Sequence, residues 1–275
     1  MTIKLKNKLY SLDIPIVMGV LNFTPDSFYS NSRYSIDMEL VPKIEKMLLD
    51  GAAIIDIGAY SSRPGAIHIS EEEEIKRLSE PLAIIRKHFP DIIISIDTFR
   101  SNVVDKLITN YEINLVNDIS AGHLDENMIP TIAKHGIPYI MMHMPDNPQN
   151  MQNNFVEGDL MQKLTLYFSE RVDKAHFAGI SDIIIDPGFG FGKSLEQNFV
   201  ILDKLHQLKL LDKPILVGMS RKSMIYKTLN CTPDDAMNGT SVLNTIALLK
   251  GASILRVHDV KEAVECINLV QKLNP

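Results

Sequence analysis

The chain predicts a single-domain α/β protein, a (β/α)8 TIM barrel with a short N-terminal hairpin, and three observations predict it. Eight short runs of β-branched and apolar residues recur along the 275 residues, with helix-length segments between them. Runs without an alternating polar face are what a parallel sheet covered on both sides requires. The runs end in polar or small residues that a core strand would not choose, and in such a barrel chemistry gathers at the carboxyl ends of the strands. The glycine-rich turn after the first strand that would favour an open doubly wound sheet is absent. Residues 1–275 are therefore expected to form one domain.

Taken in order, residues 3–14 alternate loosely around Asn7 and Lys8 and read as a small hairpin able to plug the bottom of the barrel. Run 16–21 ends at Asn22, and 22–33 is a loop rich in turn formers before a helix at 37–49. Run 54–57 ends at Gly58, and the next loop carries the breaker Pro64-Gly65. Ser70 and Glu73 form a capping box for the following helix, and the acidic run 71–74 reads as its solvated start. Run 92–96 ends at Asp97 before a helix at 101–108, and run 113–116 at Asn117 before a helix at 125–135. Run 137–142 ends at His143 before a helix at 158–177, and run 183–185 at Asp186 before a helix at 195–210. Run 215–217 passes through Gly218 into a helix beginning near Lys222, and another helix follows at 238–249. The last run, 254–257, contains Arg256, and His258 and a helix at 260–273 complete the pattern. Both early loops overhang the mouth and are placed to act as lids.

With 45% apolar and 23% charged residues, the composition is that of a globular chain long enough for a large core. A net charge of −6 argues against a general nucleic-acid or membrane surface, so any anion must be held by a local cluster of cations. The two cysteines, Cys231 and Cys266, form no CxxC pair, which implies a reducing compartment and no disulfide framework. The opening MTIKLKNKLYSL lacks an apolar core of signal-peptide length, and no apolar stretch approaches the roughly 18 residues needed to span a bilayer. A soluble cytoplasmic protein is expected.

Asp97, Asn117 and Asp186 close three different runs. One strand-end Asp is usually a helix cap; three around one mouth point to a ligand, because buried carboxylates are rare unless paired. Carboxylate oxygens accept parallel hydrogen bonds from an amino-pyrimidinone edge, and Asn both donates and accepts, so the set suits a neutral, donor-rich heterocycle. In DPGFGFGK at 186–193, glycines at alternate positions let a ring approach the main chain, and Phe189 and Phe191 cannot both be ordinary core. The stretch resembles a phosphate loop only superficially, being one residue short of the spacing. Lys222 and Ser223 fall at a helix start that favours an anion, a reading compatible with Ser220 or Ser223 as a plain cap. Arg256 and His258 point the same way, and an arginine inside a strand needs an anion or a ring. With Arg63 and Asn22 they make a cationic lobe for a diphosphate and Mg²⁺, the metal relying mostly on substrate oxygens. The structural alternative is Arg256 paired with a core carboxylate such as Asp56. The histidines show no HxH or HExxH pairing and no G-x-S-x-G elbow occurs, so neither a protein metal cage nor that hydrolase arrangement is expected. Most of Met141, Met142, His143 and Met144 read as packing residues, with one methionine lining a flat-ring pocket.

Together MGVLNFTPDSF at 18–28, DIG at 56–58, SSRPG at 61–65, SIDT at 95–98, NDI at 117–119, MHM at 142–144, DPGFGFGK, GMSRKS at 218–223 and RVH at 256–258 resemble the dihydropteroate synthase family over nearly the whole chain. The resemblance implies a barrel, usually a homodimer, that joins 7,8-dihydropterin-6-ylmethyl diphosphate to p-aminobenzoate and releases diphosphate. It implies Asp97, Asn117, Asp186, Phe191, Lys222 and Arg256 around the pterin. Asn22, Ser62, Arg63, Arg256 and His258 would take the diphosphate, with Asn22 as a ligand to Mg²⁺. Phe28, Pro64, Phe189, Lys222 and Ser223 would surround p-aminobenzoate, and Thr24, Asp26, Ser27 and Phe28 would lie on a closing loop. Asp26, Arg63, Asp97, Lys222, Arg256 and His258 would carry catalysis. No nucleophile–base pair is needed if the C–O bond breaks first, leaving a delocalised pterin cation near Asp26 and a departing diphosphate stabilised by cations.

The chain departs from the family at three places. Tyr29 to Arg33 replaces a usual Asp-Gly-Gly, Ala59-Tyr60 stands where Gly-Glu is common, and Asp146-Asn147 follows Met144 in place of Gly-Thr. The first two bear on loop closure and rate more than on pterin binding. Two other readings stay open: a catalytically silent pterin-binding paralogue, and a pterin-dependent methyltransferase on the same barrel. The SSRPG and GMSRKS motifs and the lack of a corrinoid partner domain speak against the latter.

Overall fold

A computed structural model describes residues 1–6, 8–23, 33–61, 68–145 and 158–273. β1 (Thr2–Leu5) and β2 (Lys8–Ser11) form the expected antiparallel hairpin, with Ile3 opposite Tyr10. The eight barrel strands are β3 (Ile16–Asn22), β4 (Ile54–Gly58), β5 (Ile93–Asp97), β6 (Leu115–Asp118), β7 (Tyr139–Met142), β8 (Ile183–Asp186), β9 (Leu216–Val217) and β10 (Ile254–Val257). All are parallel, in the order β8-β7-β6-β5-β4-β3-β10-β9. The two end strands meet through one bridge, Ile185 with Ile215, beside an Ile185 N–H donated to the Pro214 carbonyl at 3.0 Å. The ring is thereby nearly closed, as the eight apolar runs predict.

The side-chain alternation of strands decides what fills the ring. Met18, Ile54, Ile93, Leu115, Ile140, Ile184, Leu216 and Ile254, one from each strand, form an apolar layer at the bottom, and Ile3, Leu5 and Leu12 of the hairpin region plug it. Residues of opposite parity, such as Val17, Ile55, Ile94, Val116 and Leu255, face the helices in the main core. Two residues above the apolar layer the inward positions become Val20, Asp56, Ser95, Asn117, Met142, Asp186, Gly218 and Arg256. The interior thus turns polar within one layer. That change places the site.

The helices follow their strands as expected: α1 (Arg33–Leu49), α2 (Glu71–His88), α3 (Ser101–Tyr111), α4 (Met128–His135), α5 (Leu160–Phe177), α6 (Leu195–Asp203), α7 (Ser223–Leu229), α8 (Met237–Leu249) and α9 (Val260–Gln271). None among the described residues is long and apolar enough to cross a membrane. Three details differ from the sequence reading. The helix expected at 195–210 breaks after Asp203 into a 3₁₀ segment, Leu205–Leu211. The helix expected from residue 125 starts at Met128, because Asp125 is used as a cap: its carboxylate accepts from Ser101 N at 2.7 Å and Asn127 N at 2.9 Å. Ser70 caps α2 as read, accepting from Glu73 N at 3.3 Å, but Glu74 is not part of a solvated start. It is fully buried and paired with Arg100 at 2.7 Å, and burial raises its pKa.

At the bottom face Arg86 of α2 spends its whole fork on the segments leading into β5 and β6. Nε donates to the Tyr111 carbonyl (2.8 Å), Nη1 to those of Ile92 (2.9 Å) and Pro90 (3.2 Å), and Nη2 to the Glu112 carbonyl (2.7 Å) and Asn114 Oδ1 (3.1 Å). A lysine cannot reproduce that planar arrangement. Arg86→Lys is expected to destabilise the fold by about 2 kcal/mol in urea unfolding, with ligand binding at the opposite face unchanged.

Candidate functional site

The mouth is built around Arg256, two residues above the apolar Ile254. Its Nε donates to Asp56 Oδ2 at 2.6 Å and its Nη2 to Asp97 Oδ2 at 2.6 Å. Asn117 donates from Nδ2 to the same Asp56 oxygen at 3.1 Å. The alternative of a core carboxylate partner is therefore realised, and so is a mouth position: the side chain keeps 20% exposure, and Nη1 has no partner among the described residues. Burial alone would lower the Arg256 pKa, but the Asp56 and Asp97 charges outweigh it and raise it. Asp97 responds the other way. Burial pushes its carboxyl up to about 7 against the opposing pull of Arg256, with Asp56 and Glu74 adding to the rise.

The second wall is the 186–193 loop. Asp186 is buried, and its Oδ1 accepts from Gly188 N at 2.7 Å; burial raises its pKa, while Lys222 opposes. Gly188, Gly190 and Gly192 have φ of +70°, +82° and +59°, which explains the alternating glycines. A Cβ on Gly188 would lie 2.2 Å from the His143 carbonyl oxygen. Lys193 closes this turn from inside, donating from Nζ to the carbonyls of Gly188 (2.9 Å), Phe191 (2.9 Å) and His143 (3.1 Å). Burial lowers its pKa to about 7.

Lys222 caps α7 and Ser223 is its first residue, as the sequence predicts. Neighbouring Arg221, at φ +56°, forks onto Asp259 through Nε (2.9 Å) and Nη2 (2.8 Å). Lys222 Nζ donates to the Phe189 carbonyl at 2.5 Å and sits 4.6 Å from the Phe191 ring centre. Burial lowers its pKa to about 8, with Asp186 opposing. His258 is exposed beyond β10, its backbone N–H donated to Ser220 Oγ at 3.3 Å and its ring Nδ1 3.2 Å from that oxygen.

The fold thus gathers Asp97, Asn117, Asp186, Phe191, Lys222 and Arg256 at one mouth, with Asn22, Ser223 and His258 at strand and helix ends around it. Thr24, Asp26, Ser27, Phe28, Ser62, Arg63 and Pro64 lie outside the described residues. One ring is corrected. Phe189, expected to line a p-aminobenzoate pocket, is fully buried in the main core, because the positive-φ glycines on either side turn it inward. Only its carbonyl faces Lys222. Phe191 is the ring at the mouth, packed with Phe99 against Ile119, Met142 and Met144.

With this geometry in place, comparison with known proteins is decisive. Residues 18–258 match the family described as pterin binding enzyme. The chain is 39% identical over 266 residues to the dihydropteroate synthase of Escherichia coli K12, covering 95% of this chain and 93% of that one. The chain belongs to the dihydropteroate synthase family of pterin-binding enzymes. It is accordingly an enzyme, a transferase. The Haemophilus influenzae synthase is 39% identical over 268 residues, with 96% of each chain covered. Among solved structures, the Yersinia pestis synthase with a sulfonamide drug complex superposes with a TM-score of 0.91 at 36% identity over 99% of both chains. The Thermus thermophilus synthase in complex with 4-aminobenzoate gives 0.87 at 31% identity, over 99% of this chain and 100% of that one.

Sequence reasoning left two residues of this site without a role. Lys193 enters only within the DPGFGFGK stretch, with no role of its own, although a lysine ending a glycine-rich turn can place its charge on the carbonyls that the turn gathers. Asp56 enters as a possible partner for Arg256 and within the DIG motif, with no role at the site; its parity with Ile54 is the signal that it faces the barrel interior. Gly188→Ala tests the loop. It should cost about 1–3 kcal/mol of stability through φ and the His143 clash, and weaken ligand binding at this wall at least tenfold by calorimetry.

Proposed function

We propose that the chain condenses 7,8-dihydropterin-6-ylmethyl diphosphate with p-aminobenzoate to 7,8-dihydropteroate, as a folate-pathway dihydropteroate synthase. The observation that carries this is the convergence of two carboxylates, Asp97 and Asp186, an amide, Asn117, and two cations, Lys222 and Arg256, on one mouth. A reduced pterin carries a donor-rich pyrimidinone edge that carboxylates and an amide satisfy, and its diphosphate needs cations. The free Nη1 edge of Arg256 suits the latter, and His258, Ser62 and Arg63 are proposed to share in holding it. Lys222 and Ser223 would hold p-aminobenzoate, with Phe28 and Pro64 as further walls.

Among the described residues no three His, Cys, Asp or Glu side chains group as a metal cage. The donor set at the end of β3, the half-buried amide of Asn22, fits instead a Mg²⁺ that keeps substrate oxygens and water as its main ligands. When bound, Mg²⁺ would neutralise diphosphate charge; the protein's own residues bind, orient and exclude water. The C–O bond would break first, its electron pair leaving with the diphosphate. The amine nitrogen would then bond the exocyclic carbon and lose its proton. Asp26 is proposed beside the cation. A homodimer is part of the same proposal, to be checked by sedimentation.

Protein incubated with both substrates and Mg²⁺ should form dihydropteroate by mass spectrometry. Folded protein that gives no product sinks the reading, and pterin binding without turnover would identify a silent paralogue. Lys222→Ala should lower kcat/KM on the order of 10²–10³-fold. Arg256→Ala should do the same but also lose about 3–5 kcal/mol of stability, because Asp56 and Asp97 are left without their counter-charge. Pterin affinity should be bell-shaped in pH. Below about 7 Asp97 takes a proton and loses acceptor capacity, and above about 8 Lys222 loses its charge. Calorimetry across pH 5.5–9 checks this, and Asp97→Asn should remove the acid limb.

A further inference from the structure

We propose that Asp56, buried beneath the mouth, is a positioning residue that fixes both the guanidinium plane of Arg256 and the amide orientation of Asn117, and so decides which heterocycle edge the site accepts. The inference rests on the pterin reading above and concerns how that site is held. Asp56 lies in the middle of β4, fully buried, with β6 and β10 each two strands away on either side. Its Oδ2 alone reaches both, accepting from Arg256 Nε at 2.6 Å and from Asn117 Nδ2 at 3.1 Å. Asp56 Oδ1 makes no hydrogen bond, so all the hydrogen bonding of this carboxylate passes through those two contacts.

Each contact settles an ambiguity. The two ends of an asparagine amide have the same shape, so the group can flip; a carboxylate, however, only accepts, and therefore commits the NH₂ of Asn117 downwards and leaves its Oδ1 to other partners. A guanidinium held only by Asp97 could swing about one point. Held also at Nε by Asp56, its plane is set and Nη1 is the nitrogen left over. Neither Arg256 nor Asn117 is fixed in this way by any other described residue. Asp56 touches no ligand on this view; it acts through the two residues that do.

The test is the isosteric Asp56→Asn, with affinity for the dihydropterin diphosphate measured by calorimetry and KM for p-aminobenzoate measured at saturating pterin. Pterin affinity should fall at least tenfold while the p-aminobenzoate KM stays within twofold. Combined with Arg256→Lys, Asp56→Asn should cost less than the product of the two separate losses, since one of its two routes of action is already cut. Ser95→Ala, which removes an unbonded buried hydroxyl at the cross-strand partner of Asp56, should leave pterin affinity within twofold. Should Asp56→Asn not fold, Asp56→Glu, which keeps the charge and moves it by one methylene, is judged by the same criteria. Unchanged pterin affinity in a folded variant, losses that simply multiply in the double variant, or an equal loss from Ser95→Ala would overturn the proposal. Wild-type protein that binds the pterin without forming product ends the synthase reading only, because the pterin-affinity arm of the Asp56 comparison needs no turnover.

Discussion

The site depends on one constraint: a barrel interior must change from hydrocarbon to charge within a single layer of side chains. Ile54 and Ile254 belong to the apolar layer at the bottom, and two residues further on the same strands carry Asp56 and Arg256. Charges at that depth survive only as a matched set, because an unpaired ion in the interior costs several kcal/mol. Asp56 and Asp97 flank one guanidinium, an excess of one carboxylate over one cation if both are ionised. Burial eases that excess by lifting the Asp97 pKa to about 7. The same adjustment leaves the mouth responsive to a ligand that brings donors to Asp97 or an anion to Arg256.

The two lysines on the opposite wall show how alike residues are put to different ends. Lys193 spends all its contacts on three carbonyls of the turn it closes, and burial without a close carboxylate contact lowers its pKa to about 7. Lys222 makes one hydrogen bond, to the Phe189 carbonyl, and lies over the Phe191 ring. A lysine with one protein acceptor retains donors for a ligand; a lysine with three has none to spare. Lys193 is thus framework and Lys222 is the cation on offer, the one of the two to which the sequence also assigns a role.

The fold was legible because parallel strands covered on both faces must be apolar throughout, and eight such runs admit few arrangements. Strand-end chemistry was legible for the same reason: Asp97, Asn117, Asp186 and Arg256 stand out against their runs. What escaped reading depends on contacts between distant positions. Asp56 and Arg256 are 200 residues apart, and nothing local distinguishes a bridging carboxylate from a passive one. Phe189 and Phe191 differ by two positions between identical neighbours, yet backbone turns at φ values open to glycine send one into the core and leave the other at the mouth. Glu74 sits in a run of four glutamates, and only the approach of Arg100 from the next strand's loop explains why that one is buried.

The departure at Tyr60 shows how a changed residue can be absorbed. Where the family commonly has Glu, Tyr60 sets its ring 5.2 Å from the Arg100 guanidinium and its hydroxyl 3.2 Å from His68 Nδ1. Arg100 already has Glu74 at 2.7 Å and the Ile69 carbonyl at 2.7 Å, so its counter-charge does not depend on residue 60. An aromatic face offers the cation about 0.5–2 kcal/mol. Phe99 stands edge-on to Tyr60 at 5.0 Å and packs on its other side against the cluster of Ile119, Met142 and Met144. Tyr60 therefore meets the mouth through packing, by way of Phe99, and adds no charge of its own beside the Arg100–Glu74 pair.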